Sequence, residues 1–274
     1  MTNFQTIPAS IVLLLSLSLA SWALGDTPAP TRKLPVEGQV FSLDGHTAFL
    51  ILPEDVDDEE PTPWVWYAPT VGRYPAKEEK WMFEKFLAEG IAIAGVDVGE
   101  SHGNPKGREV YSALYRELVD NRGMAKQPCL LARSRGGLML YNWAVENPKS
   151  VRCIAGIYPV SNLASYPGLK KASAAYDMPA EQLAKELEKH NPNDRLAPLA
   201  KAKVPIFHYH GDIDKVVPLE KNSQVLHDRY KQLGGPMTLR VAEGRGHTMW
   251  EGWFQNQELV DFVISHAKRE TSGE

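Results

Sequence analysis

Ser134, Asp214 and His247 are residue types that together support nucleophilic catalysis. A serine hydroxyl is a weak nucleophile until a base takes its proton, and an acidic group orients that base. Ser134 follows the apolar run in "CLLARSRGGLML", Asp214 follows the one in "PIFHYHGDID", and His247 follows "MTLRVAEGRG". These types, in the order serine, aspartate, histidine, predict Ser134 as nucleophile, Asp214 as orienting acid and His247 as base.

The small residues around Ser134 fit a nucleophile elbow, a sharp turn from strand to helix that exposes the hydroxyl. Ala132 precedes the serine by two positions and Gly136 follows it by two. The backbone N–H of Arg135 would begin the next helix and point toward a developing oxyanion. The pentapeptide alone is weak evidence, because a structural strand-to-helix turn can need the same small residues.

The elements that must position these residues are short apolar runs alternating with segments of helical periodicity. The apolar runs are residues 64–68, 91–98, 129–132, 153–160, 205–210 and 237–242, and the helical segments are 76–90, 107–121, 137–148, 219–235 and 253–270. This alternation predicts an α/β fold with a mostly parallel central sheet flanked by helices. Catalytic groups then gather at the carboxyl ends of the strands, where all three candidate residues lie.

Two regions depart from this alternation. Two alternating runs flank Asp44 and Gly45 and predict an antiparallel hairpin at the start of the domain. Residues 161–200 are polar, contain prolines and are partly helical. We interpret them as a short cap inserted over one end of the sheet.

Several motifs resemble the α/β-hydrolase family, with a core similar to dienelactone hydrolases and prolyl oligopeptidases. "HGDIDKVVP", "GRGH" and "DVGESHG" carry this resemblance, which spans nearly all of residues 38–268. It implies the α/β-hydrolase fold and acyl transfer through Ser134, with water as the second acceptor. It also assigns the acid to Asp214, although Asp212 remains the alternative because one residue of register decides between them.

The same resemblance places a second oxyanion donor in the loop "APTVGRYP", which lacks the family's usual His-Gly pair. Thr70 and Val71 are therefore the candidate donors, together with Arg135. The Ser-Arg pair also resembles glucuronoyl esterases locally, although this chain has "SRGGL" without their lysine. The Arg135 side chain could bind an acidic substrate group.

Each candidate substrate-binding residue has a structural alternative. Arg133 or Arg135 could instead pair with a loop carboxylate such as Asp97 or Glu100. His102 lies in a loop predicted to line the pocket, but it could be an ordinary surface histidine. Trp250 could form a wall or sugar platform at the pocket mouth, or it could pack against the last helix.

The first 25 residues contain no charged side chain and include the apolar run "IVLLLSLSLASWALG". We interpret residues 1–25 as a signal peptide cleaved after Gly25, residues 26–36 as a proline-rich linker and residues 37–270 as the hydrolase domain. This predicts a secreted or periplasmic protein without stable membrane insertion after cleavage. No lysine or arginine precedes the apolar run, so an uncleaved anchor is the alternative.

Composition excludes other classes of function. The formal net charge of −4 provides no basic field for nucleic acid. No cluster has metal-ligand spacing and no glycine-rich loop follows a strand, so we expect neither metal nor cofactor.

Cys129 and Cys153 could form a disulfide or remain buried thiols. The sequence does not indicate an oligomeric state.

Together these features predict an exported serine hydrolase that cleaves a carboxylic ester, with a small-molecule or carbohydrate ester as its substrate. A serine peptidase of the prolyl oligopeptidase kind is the alternative enzyme. A non-catalytic binding protein on a hydrolase scaffold is the alternative of another class. The altered elbow and the missing His-Gly pair favour that last hypothesis, whereas the three filled catalytic positions oppose it.

Overall fold

The computed structural model of the protein describes Met1 and residues 31–56 and 59–268. The predicted signal peptide, apart from Met1, and the first part of the predicted linker lie outside the described residues. Within the described ranges, no helix has the length and apolar character needed to cross a membrane.

A single eight-stranded sheet runs through the domain in the order β1-β2-β4-β3-β5-β6-β7-β8. Its strands are β1 (Gln39–Leu43), β2 (His46–Ile51), β3 (Trp64–Ala68), β4 (Ala92–Val96), β5 (Cys129–Arg133), β6 (Cys153–Ile157), β7 (Ile206–Gly211) and β8 (Met237–Ala242). β2 pairs antiparallel with both β1 and β4, and every other pairing is parallel. The prediction of a mostly parallel α/β-hydrolase sheet is confirmed.

The helices flank both faces of this sheet. They are α1 (Lys80–Ala88), α2 (Pro105–Asn121), α3 (Gly136–Ala144), α4 (Leu169–Ala175), α5 (Ala180–Lys185), α6 (Leu187–His190), α7 (Ala197–Lys201), α8 (Ser223–Gln232), α9 (Glu251–Phe254) and α10 (Gln257–Ala267). On one face, α2, α3 and α8 bury a core that includes Trp66, Tyr111 and Trp143. On the other face, α1 and α10 bury residues such as Phe83 and Val263.

The hairpin lies at its predicted position, and residues 161–200 form short helices between β6 and β7. Asp44 and Gly45 have φ angles of 49° and 82° in the turn between β1 and β2. Helices α4 to α7 lie within the segment predicted as a cap or begin at its end. Residues of this segment, including Leu163 and Leu183, pack with Leu138 and Val217 in a separate apolar cluster. This cluster joins the insertion to the edge of the sheet where β5 and β7 end.

The continuous helix predicted over residues 253–270 is interrupted in the structure. α9 ends at Phe254 and α10 begins at Gln257. The Asn256 side chain accepts a hydrogen bond from the backbone N–H of Leu259 at 2.8 Å and so caps the new helix. Cys129 and Cys153 lie opposite each other on β5 and β6, and both side chains are buried thiols that no disulfide joins.

Candidate active site

Ser134 occupies a strained turn between β5 and α3. Its φ angle is +49°, a left-handed conformation that is uncommon for a residue with a side chain. The Ser134 N–H donates to the Ile157 carbonyl at 3.0 Å, and the Ser134 carbonyl accepts from Val160 N at 2.8 Å. These two bonds hold the turn against the end of β6, so the hydroxyl stays at the carboxyl edge of the sheet.

The small residues around Ser134 are required by close backbone approaches. A Cβ atom added to Gly136 would lie 2.1 Å from the Ala68 carbonyl oxygen, and one added to Gly137 would lie 2.3 Å from the Val160 carbonyl oxygen. Ala132 is fully buried in β5, in register with Ala68. Ala132 stands where the elbow usually has its first glycine.

The structure brings the three candidate catalytic side chains together in one hydrogen-bonded series. Ser134 Oγ lies 2.9 Å from His247 Nε2, and His247 Nδ1 lies 2.8 Å from Asp214 Oδ2. His247 retains partial exposure, whereas the Asp214 side chain is 1% exposed. The imidazole can therefore receive the serine proton while the buried carboxylate holds the opposite nitrogen as a donor.

Asp214 is fixed by more than its bond to His247. Its Oδ1 atom accepts from the backbone N–H groups of Val216 at 2.9 Å and Val217 at 2.8 Å. Burial alone would raise the pKa of Asp214, but the nearby His210 and His247 rings and the Val217 N–H hold that pKa well below its usual range. The carboxylate is therefore ionised at neutral pH, as the orienting role requires.

Asp212, the alternative acid, takes another position. Its carboxylate accepts a hydrogen bond from the Arg245 backbone N–H at 3.3 Å. It is exposed, and no described contact joins it to His247. The geometry therefore favours Asp214 over Asp212 as the partner of the base.

Ser134 opens onto a cavity of about 220 Å³. The cavity is lined by Pro69, Tyr74, Arg133, Ser134, Arg135, Tyr158, Tyr166, Val216, His247, Thr248 and Met249. Tyr166 belongs to the inserted segment, so the predicted cap contributes directly to the cavity wall. Arg135, predicted to bind substrate, lines the cavity, and its guanidinium forms an ion pair with Glu100. The structural alternative considered for Arg135, pairing with a loop carboxylate, is thus realised.

Arg133 is buried beneath the elbow in a network of charged and aromatic groups. Its guanidinium pairs with Glu79, a fully buried carboxylate that also accepts from the Tyr67 hydroxyl at 2.8 Å. The same guanidinium stacks on the Tyr74 ring, with 4.4 Å to the ring centroid. Burial alone would lower the pKa of Arg133, but Tyr67 and Glu79 raise it above its ordinary value. Arg133 therefore remains charged next to the nucleophile.

The candidate oxyanion donors differ in position. Arg135 is the N-cap residue of α3 and lines the cavity, which suits a backbone N–H directed at a developing oxyanion. The Thr70 hydroxyl donates to the Val96 carbonyl, so its side chain is engaged elsewhere. Neither Thr70 nor Val71 is among the residues that line the cavity. That the backbone N–H groups of Thr70 and Val71 stabilise the oxyanion stays a prediction.

The other two predicted substrate residues lie outside the cavity. His102 is 8% exposed, and burial lowers its pKa. Its loop is tied to the insertion because the Tyr176 hydroxyl donates to the His102 carbonyl at 3.0 Å. Trp250 packs edge-on against Trp253 and under the guanidinium of Arg245. Neither residue lines the cavity, and the packing alternative describes Trp250 better than a pocket wall does.

The cavity also contains residues that were not predicted from the sequence, among them Tyr74, Tyr158 and Met249. Tyr158 follows β6, has a φ of +36° and places its ring 4.2 Å from that of His247. Burial raises the pKa of Tyr158 to about 12, so its hydroxyl is neutral. Its position after an apolar run could have indicated a site residue, since the carboxyl ends of parallel strands lie at one edge of the sheet. Met249 carried no such signal.

In residues 31–56 and 59–268, no three His, Cys, Asp or Glu side chains are grouped so that they could hold a metal ion.

The sheet order, the elbow at the end of β5 and the Ser134–His247–Asp214 series define an α/β-hydrolase fold of the serine hydrolase superfamily. The model of the prolyl oligopeptidase family, Peptidase_S9, matches residues 100–273, which is more than half of the chain. The chain therefore belongs to the prolyl oligopeptidase family. The resemblance drawn from the sequence motifs is confirmed.

Solved structures with the same fold include peptidases and an S-formylglutathione hydrolase. A puromycin-hydrolyzing peptidase from Mycobacterium tuberculosis has a TM-score of 0.69 at 17% identity, covering 86% of this chain and 41% of its own. Acylaminoacyl peptidase from Pyrococcus horikoshii has a TM-score of 0.67 at 17% identity, with coverages of 87% and 43%. This chain thus spans about two fifths of either peptidase.

An S-formylglutathione hydrolase from Agrobacterium tumefaciens has a TM-score of 0.66 at 16% identity, covering 85% of this chain and 94% of its own. No curated protein matches the chain at a significant level. At these identities the similarity to solved structures establishes the fold.

Proposed function

We propose that this protein is a serine hydrolase that cleaves a carboxylic ester through an acyl-enzyme. The observation that carries this proposal is the series in which Ser134 Oγ, His247 and Asp214 are joined by contacts of 2.9 and 2.8 Å. Ser134 Oγ attacks the ester carbonyl carbon while its proton passes to His247 Nε2. The oxyanion that forms is stabilised by the Arg135 N–H.

The remaining steps restore the enzyme. The ester C–O bond breaks, and the departing alcohol takes the proton from His247. Water then loses a proton to His247 and attacks the acyl carbon, which releases the carboxylic acid as the proton returns to Ser134 Oγ. Asp214 stays ionised throughout and stabilises the imidazolium, in keeping with its lowered pKa.

The size of the cavity supports a short acyl group. At about 220 Å³ it lies below the range of roughly 300–1,000 Å³ that is usual for sites holding a whole drug-sized ligand. Tyr74, Tyr158 and Tyr166 narrow it on several sides. A cavity of this size supports an acyl group of a few carbon atoms.

A second cavity, of about 490 Å³, supports a carbohydrate as the alcohol part of the ester. Met249 lines both cavities, so the second one adjoins the site. Its apolar lining is Trp81, Met249 and Phe254, and its polar lining is Lys77, Glu78, Lys80, Glu84, Glu251 and Gln255. An aromatic ring amid side chains of both charges suits a neutral ligand that has an apolar face and many hydroxyls.

One oxygen in this second cavity lacks a partner. Glu78 Oε2 is shielded from solvent and accepts no hydrogen bond from the described residues. A shielded carboxylate oxygen without a donor is costly, and a ligand hydroxyl would satisfy it. This supports a sugar ring over Trp81 in place of the Trp250 platform expected from the sequence.

Peptide hydrolysis is the second candidate function, and the match to the prolyl oligopeptidase family favours it. The triad chemistry is the same, with an amine as the leaving group. The ester proposal is supported by the small acyl cavity and by the S-formylglutathione hydrolase, most of whose chain aligns with this one. If the protein were instead a non-catalytic binding protein on the same scaffold, it would hydrolyse no substrate at Ser134.

We also propose that the protein is exported. Its support is the uncharged segment 1–25, with Ala23 and Gly25 placed before a cleavage point. Expression of the full chain, followed by mass spectrometry of the product in the secreted or periplasmic fraction, tests this. We expect a mature N-terminus at Asp26, and retention of the intact chain in the cytoplasm would contradict export.

The test of function is hydrolysis of a short substrate panel by the protein and by Ser134→Ala. The panel contains p-nitrophenyl acetate, p-nitrophenyl butyrate, acetylated xylan, a methyl glucuronate ester and a proline anilide. We expect Ser134-dependent turnover of the acetyl esters. Turnover of the anilide alone would favour the peptidase, and identical background rates from both proteins would favour the binding protein.

A further inference from the structure

A buried chain of hydrogen bonds leads to the turn that holds Asp214. The Tyr141 hydroxyl is 2.7 Å from His208 Nε2, and His208 Nδ1 is 2.9 Å from Ser223 Oγ. Ser223 Oγ is in turn 2.8 Å from His210 Nδ1. All four side chains are buried, with 0% exposure. Four polar groups in an apolar interior are retained at a cost, so they call for an explanation.

The chain ends on the turn that holds Asp214. His210 Nε2 is 2.8 Å from the Val217 carbonyl and 3.5 Å from Asp214 Oδ2. The Val217 N–H donates to Asp214 Oδ1 at 2.8 Å. His210 therefore contacts the turn from Asp214 to Val217 at both the carboxylate and the carbonyl that follows it.

The direction of the hydrogen bonds follows from which atoms can donate. A carbonyl oxygen only accepts, so the bond to Val217 requires a proton on His210 Nε2. A neutral ring with its proton on Nε2 has Nδ1 as an acceptor, and that Nδ1 takes the one proton of the Ser223 hydroxyl. His208 Nδ1 then has to donate to Ser223 Oγ, and His208 Nε2 accepts from Tyr141.

The neutral state of His208 agrees with this arrangement. Burial, and then the nearby His210, lower the pKa of His208 well below its ordinary value. A neutral imidazole has one N–H and one acceptor nitrogen, and each finds a complementary partner here. Every bond from Tyr141 to Val217 thus points in the same direction, toward the Asp214 turn.

We propose that Tyr141, His208, Ser223 and His210 form a positioning relay for the hydrolase activity proposed above, in which His210 is fixed with Nε2–H facing the Asp214 turn. His210 is a positioning residue, because it acts through Asp214 and touches neither the nucleophile nor the substrate cavity. By holding the carboxylate in place, it orients the His247 imidazole toward Ser134. A loose carboxylate would let the imidazole adopt unproductive orientations.

Two substitutions of His210 separate this role from simple packing. In His210→Gln the side-chain amide can still place an N–H where Nε2 lies, facing Val217. In His210→Asn the shorter amide can reach Ser223 but not the Asp214 turn. His227→Gln, on the surface of α8, is the matched control, because His227 is partly exposed and contacts Asp228.

We expect His210→Asn to lower kcat on p-nitrophenyl acetate roughly 10- to 100-fold with KM changed less than about twofold, as loss of an orienting contact predicts. His210→Gln should stay within about threefold of the parent, because it restores the donor. His227→Gln should match the parent. Equal loss in His210→Asn and His210→Gln, or parental kcat in His210→Asn, would overturn the proposal.

Proton NMR gives a readout that does not depend on turnover. The Nδ1 proton of His247, hydrogen-bonded to Asp214, should give a downfield imidazole resonance that Asp214→Asn shifts or removes. His210→Asn should shift or broaden that resonance, and His210→Gln should preserve it. An unchanged resonance in a folded His210→Asn protein would contradict the positioning role. If the parent hydrolyses nothing yet the resonance responds as described, the proposed function fails while the positioning role stands.

Discussion

Ser134 Oγ and His247 Nε2 lie 2.9 Å apart although 113 positions separate the two residues in the chain. Ser134 follows β5 and His247 follows β8. The strands β5 to β8 are parallel, so their carboxyl ends all lie at the same edge of the sheet. Asp214 follows β7 at the same edge and lies 2.8 Å from the opposite imidazole nitrogen. The parallel sheet is therefore what brings nucleophile, base and acid into contact.

Loss of the Asp214 charge should lower kcat far more than loss of the Asp212 charge. Asp214→Asn keeps the side-chain shape but removes the carboxylate beside His247 Nδ1, so the imidazole can adopt the wrong tautomer. We expect kcat on p-nitrophenyl acetate to fall by about 10⁴-fold. Asp212→Asn, the exposed neighbour, should stay within about threefold, since surface changes away from the site are small. Equal loss in both variants would reopen the choice of acid.

Much of this architecture was predictable because strand ends and small residues leave a pattern in the sequence. The apolar runs identified the central strands, and the residues after three of them supplied Ser134, Asp214 and His247. The hairpin at Asp44 and Gly45 followed from turn chemistry. Residues 161–200 were interpreted as an insertion because their polar, proline-containing sequence broke the alternation.

Other parts of the site depend on packing that no local pattern encodes. Arg133 pairs with Glu79, which lies 54 positions away in the chain, just before α1. Trp250 comes three positions after His247 in the chain, and His102 lies in the loop after β4. Neither side chain lines the cavity, and Trp250 packs against Trp253. Trp81 lies on α1, partly exposed, and it lines the second cavity together with Met249.

The lowered pKa of Asp214 predicts a loss of stability in acid. Its pKa in the folded protein lies below the unfolded value of about 3.9, so its stabilisation is complete above that pH. That stabilisation is lost as the pH falls through the folded-state pKa. The free energy of unfolding, measured with urea, should fall less between about pH 6 and about pH 3 for Asp214→Asn than for the parent. The same loss in both proteins would contradict this linkage.

The Glu79–Arg133 pair should matter far more to stability than the Lys80–Glu84 pair close by in the chain. The side chains of Glu79 and Arg133 are 0% and 5% exposed, whereas those of Lys80 and Glu84 are 51% and 52% exposed. Glu79→Ala leaves a buried guanidinium without its carboxylate, which typically costs about 3–5 kcal/mol. Glu84→Ala should cost less than about 1 kcal/mol.

Urea denaturation of the two variants beside the parent measures this difference in the free energy of unfolding. The exposed pair serves as the matched control, because it also joins a glutamate to a cation at the start of α1. Similar values for Glu79→Ala and Glu84→Ala would show that Arg133 finds another partner beneath the elbow. Tyr67 would be the first group to examine, since its hydroxyl donates to Glu79.

Trp81 should affect the binding of a sugar ester but not of a small ester. Trp81→Ala removes the aromatic surface of the second cavity, so KM for an acetylated xylo-oligosaccharide should rise about tenfold, equivalent to about 1.4 kcal/mol. Hydrolysis of p-nitrophenyl acetate should change less than about twofold, because the 220 Å³ cavity is intact. Trp81→Phe should lie between the parent and Trp81→Ala.

The control for that experiment is Leu233→Ala, which removes an apolar side chain that is 48% exposed and does not line either cavity. It should leave both substrates unaffected. If Trp81→Ala raised KM equally for the two esters, the second cavity would not be a sugar subsite. If it changed neither, the carbohydrate part of the substrate would have to bind elsewhere.

Labelling with a fluorophosphonate tests the central claim most directly, because the reagent reacts with a serine only where a base activates it. The parent protein, Ser134→Ala and His247→Ala would be treated with the probe, digested and mapped by mass spectrometry. We predict one modified site, Ser134, in the parent, none in Ser134→Ala and slow modification in His247→Ala. An unlabelled parent, or equal labelling of the parent and His247→Ala, would contradict a Ser134–His247–Asp214 catalytic site.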